Sequence, residues 1–446
     1  MNKEVFIEAV RAAGLVGEGG AGFPAHVKYA ATADTLIANG CECEPLLHTD
    51  HHIMRHFGES IGRAMKTLGD AVNAERRVLG VKKKHTDLIP SLREVLGSFG
   101  VDLFLMDDFY PAGDEQILVY EITGRSVPAL GIPLNVGAVV ANVGTLADVD
   151  AALGGTPMTD KFLTVTGEAG TPGIIRAPLG TPLGDCLEAC GGARPSDPVF
   201  VLGGPMMGRV VQGAEALSRE RVTKTTGGLI VLPSGHPLHR NATLSIDFMR
   251  RRAASACIQC RACSDLCPRR LIGHPLETHM VMRAFAARNE LSETGSQAAV
   301  CCECGVCEQY ACPMGMSPRR INQAVKAAMR GASMNYDGAK EIRTGFSRWR
   351  EFRKIPVPRL AARLGIAEYM PLQTPWLGEL NPAQVDIPLR QHIGAPSVPL
   401  VKEGDMVQKG DCIGEIPDNA LGARVHATIS GRVTAVGGSV SIRTAQ

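Results

Sequence analysis

The stretch Cys257-Ile258-Gln259-Cys260-Arg261-Ala262-Cys263-Ser264-Asp265-Leu266-Cys267-Pro268 decides how this chain is read. It spells C-x2-C-x2-C-x3-C-P, the bacterial ferredoxin run for a [4Fe–4S] cluster. Three thiolates spaced two residues apart wrap one face of a cubane in a tight loop, the fourth points elsewhere, and the proline gives the chain a new direction. A second run, Cys301, Cys304, Cys307 and Cys312 followed by Pro313, spells C-x2-C-x2-C-x4-C-P. In two-cluster ferredoxins the fourth cysteine of each run serves the other cluster. The spacing therefore predicts Cys257, Cys260, Cys263 and Cys312 around one cluster, and Cys301, Cys304, Cys307 and Cys267 around the other. Cys302 would break the C-x2-C spacing and reads as a bystander. Zinc also takes four thiolates from paired C-x2-C units. It needs two close pairs, however, whereas each run here offers three close cysteines and a distant fourth.

Apolar residues at Met280, Val281, Ala284 and Phe285 predict a helix over 277–288 between the runs. After them, Ser317 is placed to cap a helix with Pro318 in its first turn and Ile321, Val325 and Met329 on one face. Residues 245–335 thus read as an α-helical insert for two clusters. Nine of the fourteen cysteines lie between Cys257 and Cys312. No secretory signal opens the chain, so disulfides are a poor account of them and a cytoplasmic setting is expected.

The 446 residues suit three or four domains. Lys plus Arg number 47 against 45 Asp plus Glu, a balance with no long-range field for nucleic acid or an anionic membrane. The apolar runs near Val136–Val143 and Leu229–Leu232 are too short to span a bilayer. The first ten residues read as an amphipathic helix. Aromatics are 4% while Gly is 50 and Pro 28, which predicts many tight turns.

Near the N-terminus runs Gly17-Glu18-Gly19-Gly20-Ala21-Gly22-Phe23-Pro24, with Lys28 beyond it. Glycines at this density expose backbone N–H groups and let a phosphate or flat ring approach. Further on come Asn39-Gly40-Cys41-Glu42-Cys43-Glu44-Pro45, Tyr110-Pro111-Ala112-Gly113-Asp114-Glu115 and Ala141-Asn142-Val143-Gly144-Thr145. In this order the segments resemble the flavin- and NADH-binding subunit of respiratory complex I and the RnfC component of Rnf-type complexes. The resemblance implies a Rossmann-like FMN/NADH domain over 1–158, within an α/β multidomain chain. It implies flavin contacts from Gly17, Gly19, Gly20, Gly22, Lys28, Asn39, Glu42, Tyr110, Gly113, Asp114, Glu115, Asn142 and Thr145. It implies dinucleotide contacts from Phe23, Lys28 and Glu44, with Glu42 and Glu44 facing the reacting rings as the catalytic pair. Cys41 stands where the complex I pattern has aspartate, and Ala30-Ala31 follow Tyr29 where an aromatic helps stack adenine.

Residues 159–235 alternate over Phe162–Thr166 and turn at Leu179-Gly180-Thr181-Pro182-Leu183 into a helix ending at Gly191-Gly192, resembling the β-grasp (SLBB) module of the same family. Cys186 and Cys190 read as packing thiols on that helix. Residues 336–446 read as a linker and then a lipoyl-like β-sandwich, whose halves resemble 401–411 and 426–433. No lysine stands in Ala427-Thr428-Ile429-Ser430-Gly431, where covalent carriers of that type have one. His48, His52 and His56 are four apart and read as a solvated helix face or a metal site, and Lys82-Lys83-Lys84 as a solvated run.

The order of these modules is similar to that of the cobalamin reductases of propanediol-utilising bacterial microcompartments. The resemblance implies NADH and a corrinoid as small-molecule partners, and two [4Fe–4S] clusters and FMN as cofactors. An adenosyltransferase or shell proteins would be macromolecular partners, and a microcompartment the location. An Rnf-type NADH:ferredoxin or quinone oxidoreductase subunit, and a non-catalytic electron relay of a microcompartment, are the alternatives this reading leaves open.

Overall fold

A computed structural model describes residues 1–20, 22–336, 338 and 348–444. Four parallel strands, Asp102–Met106, Arg76–Lys82, Thr35–Gly40 and Ala138–Asn142, form the first sheet in that spatial order. Successive side chains of a strand face opposite ways. Leu36 and Ala38 accordingly join one core with Ile61, Met65 and Leu68 of the helix Gly58–Ala71, while Ile37 joins another with Ile117 and Leu118 of the helix Glu115–Thr123. Both faces are covered, as a parallel sheet requires. The N-terminal helix Lys3–Ala12 is capped by the Asn2 side chain and buries Phe6 and Val10 in the first core.

A second, six-stranded sheet runs in the order Trp376–Glu379, Gly173–Pro178, Asp160–Gly167, Gly228–Pro233, Pro198–Leu202, Arg209–Gln212. Its helix Leu183–Ala189 buries Cys186, and Cys190 closes the helix, both thiols being fully buried among apolar side chains. The edge strand Trp376–Glu379 comes from the C-terminal segment and pairs parallel to Gly173–Pro178. The C-terminal fold itself is two small sheets around Val385, Ile387, Val433, Val440 and Ile442. At its Ala427–Ser430 turn, Thr428 is fully buried and donates to the Leu179 carbonyl at 2.7 Å. The place where a carrier lysine would stand is thus packed against the second sheet.

The cysteine-rich segment is helical. Thr278–Ala286 and Pro318–Gly331 pack through Val281, Phe285, Ile321 and Val325. Ser317 precedes the second of these helices without a side-chain capping bond. A further core joins the modules: Tyr110, Val201, Met206, Ile230, Cys304 and Leu360 pack together. Ile355–Pro356 pairs antiparallel with Phe109–Tyr110, so part of the expected linker is structural. The linker residues 337 and 339–347 lie outside the described residues. Among the described residues, no helix is long and apolar enough to cross a membrane.

Candidate redox site

In an open parallel sheet, ligands bind beyond the carboxyl ends of the strands. Asn39 and Asn142 sit at two such ends. Asn39 donates to the Gly113 carbonyl at 2.9 Å and accepts from the Cys41 amide at 3.1 Å. Asn142 caps the helix Val143–Leu153 through the Gly144 amide at 2.8 Å and donates to Asp50 at 3.1 Å. The glycine loop hangs over this edge. Its Glu18 amide donates to the Thr145 hydroxyl at 3.0 Å, and Gly17 closes the loop on the Phe23 carbonyl at 2.9 Å.

Among the described residues, the Gly19 and Gly20 amides have no hydrogen-bond partner. A Cβ on Gly19 would stand 3.3 Å from that of Asn142, while one on Gly20 would meet nothing within 4 Å. Bare amides over an open edge, with asparagines beneath them, fit a phosphate-bearing flavin. Half-exposed Phe23 and the Lys28–Glu115 ion pair, 3.3 Å apart, flank the opening. Gly22 is placed elsewhere: it is buried, its φ is +71°, and a Cβ there would approach the Gln391 carbonyl at 3.1 Å.

Beneath the loop lies a largely buried acidic pair. Glu42 accepts from the Thr49 amide at 3.1 Å. Burial, and then the nearby Asp50 charge, push its carboxyl well above the usual range. Burial raises Asp50 to about 7. The folded chain thus holds a proton there that the unfolded chain releases, so this group's contribution to stability falls as pH rises from about 4 to about 7. Asp50→Asn should flatten that part of the stability-versus-pH curve in denaturant titrations; an unchanged slope would exclude Asp50 as its source.

Of the remaining motif residues, Tyr110 and Asp114 reach the cysteine-rich module, Glu44 reaches the second-sheet module, and Gly113 and Thr145 stay within the first. Glu44, raised to about 7 by burial, accepts from the Met206 and Met207 amides at 2.8 and 2.9 Å. The Tyr110 hydroxyl donates to the Cys304 carbonyl at 2.7 Å. Asp114 caps the helix Glu115–Thr123 and pairs with Arg269 at 2.8 Å. A Cβ on Gly113 would fall 2.5 Å from the Cys41 carbonyl oxygen. Thr145 is 1% exposed and holds the glycine loop.

The thiols gather as two groups. Around Cys263 the electrostatic neighbours are Cys312, Cys257 and Cys260; around Cys307 they include Cys301 and Cys267 and, more weakly, Cys263 of the first group; around Cys304 they are Cys302, Cys267 and Cys307. Cys302 therefore stands beside the second group, where a hydrogen bond with Cys304 and the nearby Arg269 charge lower its thiol to about 7. Among the described residues, the ligand atoms of His51, His85 and Asp87 lie within 4.8 Å of one another. The sequence pattern of three close cysteines and a distant fourth in each run suits a cubane.

Several side chains depart from the sequence reading. Lys82 ends the strand Arg76–Lys82, is 1% exposed and pairs with Asp108 at 2.9 Å, so it is not part of a solvated run. His52 stacks on Trp376 with ring centroids 5.2 Å apart and His48 bonds Thr374 at 2.7 Å, so these two are packed, while His56 is exposed. His51 faces His85 and Asp87, the latter also paired with Arg55. Asp50, Lys161 and Arg269 carried no motif signal. Lys161 forms a buried ion pair with Glu18 that ties the glycine loop to the second sheet. Breaking a buried pair leaves an uncompensated charge at a cost of about 3–5 kcal/mol. Lys161→Met should therefore lower the thermal midpoint sharply, and a midpoint within a degree or two of the parent would contradict the role given to this pair.

Family models match the chain in four segments: the Nuo51 FMN-binding domain at 10–151, the SLBB domain at 162–210, a 4Fe-4S dicluster domain at 256–317 and the RnfC barrel sandwich hybrid domain at 377–446. The cobalamin reductase PduS of Citrobacter freundii is 40% identical over 441 residues, covering 96% of this chain and 94% of that protein. A component of the Na(+)-translocating ferredoxin:NAD(+) oxidoreductase complex of Acetobacterium woodii is 34% identical over 275 residues, 60% of this chain and 58% of that one. Among solved structures, an NAD+-reducing [NiFe]-hydrogenase in the H2-reduced state aligns with a TM-score of 0.50 at 22% identity, covering 75% of this chain and 63% of that chain, a likeness of fold alone.

Proposed function

The chain belongs to the family of the cobalamin reductase PduS, and from that premise we propose that it carries electrons from NADH to the cobalt of a corrinoid. When bound, FMN accepts electrons in pairs and releases them singly, and iron–sulfur clusters carry them one at a time. One NADH supplies two electrons, enough to lower two cobalt ions by one oxidation state each.

The residues divide the work. Gly19 and Gly20 offer amides to the flavin phosphate, with Asn39 and Asn142 beneath. Glu42 and Asp50 hold a proton below the loop, and Phe23, Lys28 and Glu115 border the opening through which the dinucleotide comes. The cysteines of the two runs hold the clusters. The observation that carries the reading is the direct seat of the Cys304 loop on the flavin domain, through the Tyr110 hydroxyl.

We further propose a place inside a propanediol-utilising microcompartment, with an adenosyltransferase or shell proteins as partners; membership of the PduS family is what supports it. Anaerobic, cluster-loaded protein mixed with NADH and hydroxocobalamin tests the function. NADH-dependent appearance of reduced corrinoid is expected. Bleaching of flavin and clusters with no corrinoid turnover would favour a protein acceptor, as in the Rnf-type relative, and no bleaching would leave a relay.

A further inference from the structure

We infer that the loop bearing Cys257, Cys260 and Cys263 is the face at which the corrinoid acceptor meets this protein, and that the thiol group of Cys301, Cys304, Cys307 and Cys267 is the one turned toward the flavin domain. This rests on the proposed function and assigns its two ends.

The second group touches the flavin side at several points. Tyr110 bonds the Cys304 carbonyl, Cys43 packs in the same core as Cys304, and Arg269, two residues beyond Cys267, pairs with Asp114. Gly305 lies so close to the Met206 carbonyl that a Cβ would stand 3.0 Å from its oxygen, and the Met206 amide in turn bonds Glu44. Cys304, Cys307 and Cys267 are all buried.

The first group has the opposite surroundings. A cavity is lined by Cys257, Cys260, Cys263 and Cys312, and every lining residue lies between Cys257 and Pro318, with none from the flavin domain. Cys260 is exposed, Ile258 is 61% exposed and Met314 38%. Exposed Gln259 and Arg261 share this rim with Ile258 and Met314, so the loop offers both polar partners and apolar surface to a corrinoid, whose ring carries amide side chains. Because electron tunnelling weakens steeply with distance, the buried thiol group is the nearer relay to the flavin, and the exposed one is the nearer to a docked acceptor.

Electron paramagnetic resonance on the cluster-loaded full chain separates the two roles. In Cys307→Ala, the remaining cluster should stay unreduced with NADH yet be reduced by dithionite; in Cys260→Ala, NADH should still reduce the buried cluster at the parent rate. The reverse pattern overturns the assignment. Should Cys307→Ala fail to fold, Ile258→Glu decides: reduction of both clusters by NADH should be unchanged while the KM for hydroxocobalamin rises about fivefold or more. An unchanged KM overturns the acceptor face. Failure of the parent protein to reduce hydroxocobalamin, with the resonance pattern as expected, would instead sink the proposed function and move the acceptor at this face to a protein.

Discussion

Replacing Cys304 with alanine should halve the iron content, from about eight to about four per chain, and abolish NADH-driven reduction of the acceptor while NADH still bleaches the flavin. Cys304 is 8% exposed and lies among Cys302, Cys267 and Cys307, on the side of the module that faces Tyr110. Its loss removes a thiolate from the group nearest the flavin domain. The Tyr110 contact is made by the Cys304 backbone carbonyl, which alanine retains, so the seat of the loop should survive. Iron analysis, resonance spectra and a stopped-flow flavin trace read the three effects separately. Loss of flavin reduction along with the cluster would contradict the separation of the two modules.

Gly19→Val should expel the flavin, leaving less than about one tenth of the parent content, without disturbing the clusters. Gly19 itself is exposed and the loop is anchored by its neighbours Gly17 and Glu18, but a Cβ on Gly19 would press on Asn142 at 3.3 Å and a branched side chain would fill the space in front of the bare amides. Flavin absorbance per chain after gel filtration gives the answer. Stoichiometric flavin in this variant would move the site away from the glycine loop.

The cysteine runs were legible because ligation to one small cluster ties residues that are close in sequence, so spacing alone carries the message. The glycine loop was legible for a similar reason, since bare amides need contiguous glycines. What spacing cannot show is which distant element a motif residue serves. Tyr110 and Asp114 read as flavin contacts and Glu44 as a dinucleotide contact and one of the catalytic pair; within the chain their bonds go to Cys304, Arg269 and the Met206–Met207 amides, more than a hundred and fifty residues away. Charge in a run misled in the same way: Lys82 looks solvated beside Lys83 and Lys84, but it closes a buried strand and answers Asp108. The strand Trp376–Glu379 joins a sheet whose other strands end by Arg209–Gln212 and Gly228–Pro233, a pairing across modules with no local signal.

Electron transfer from NADH through this chain requires that it hold two multi-iron clusters and a flavin together. Iron, acid-labile sulfide, zinc and flavin assayed on protein purified without oxygen test this directly. About eight iron, about eight sulfide and one flavin per chain are expected, with no zinc. Colourless protein, or zinc in place of iron and sulfide, would contradict it.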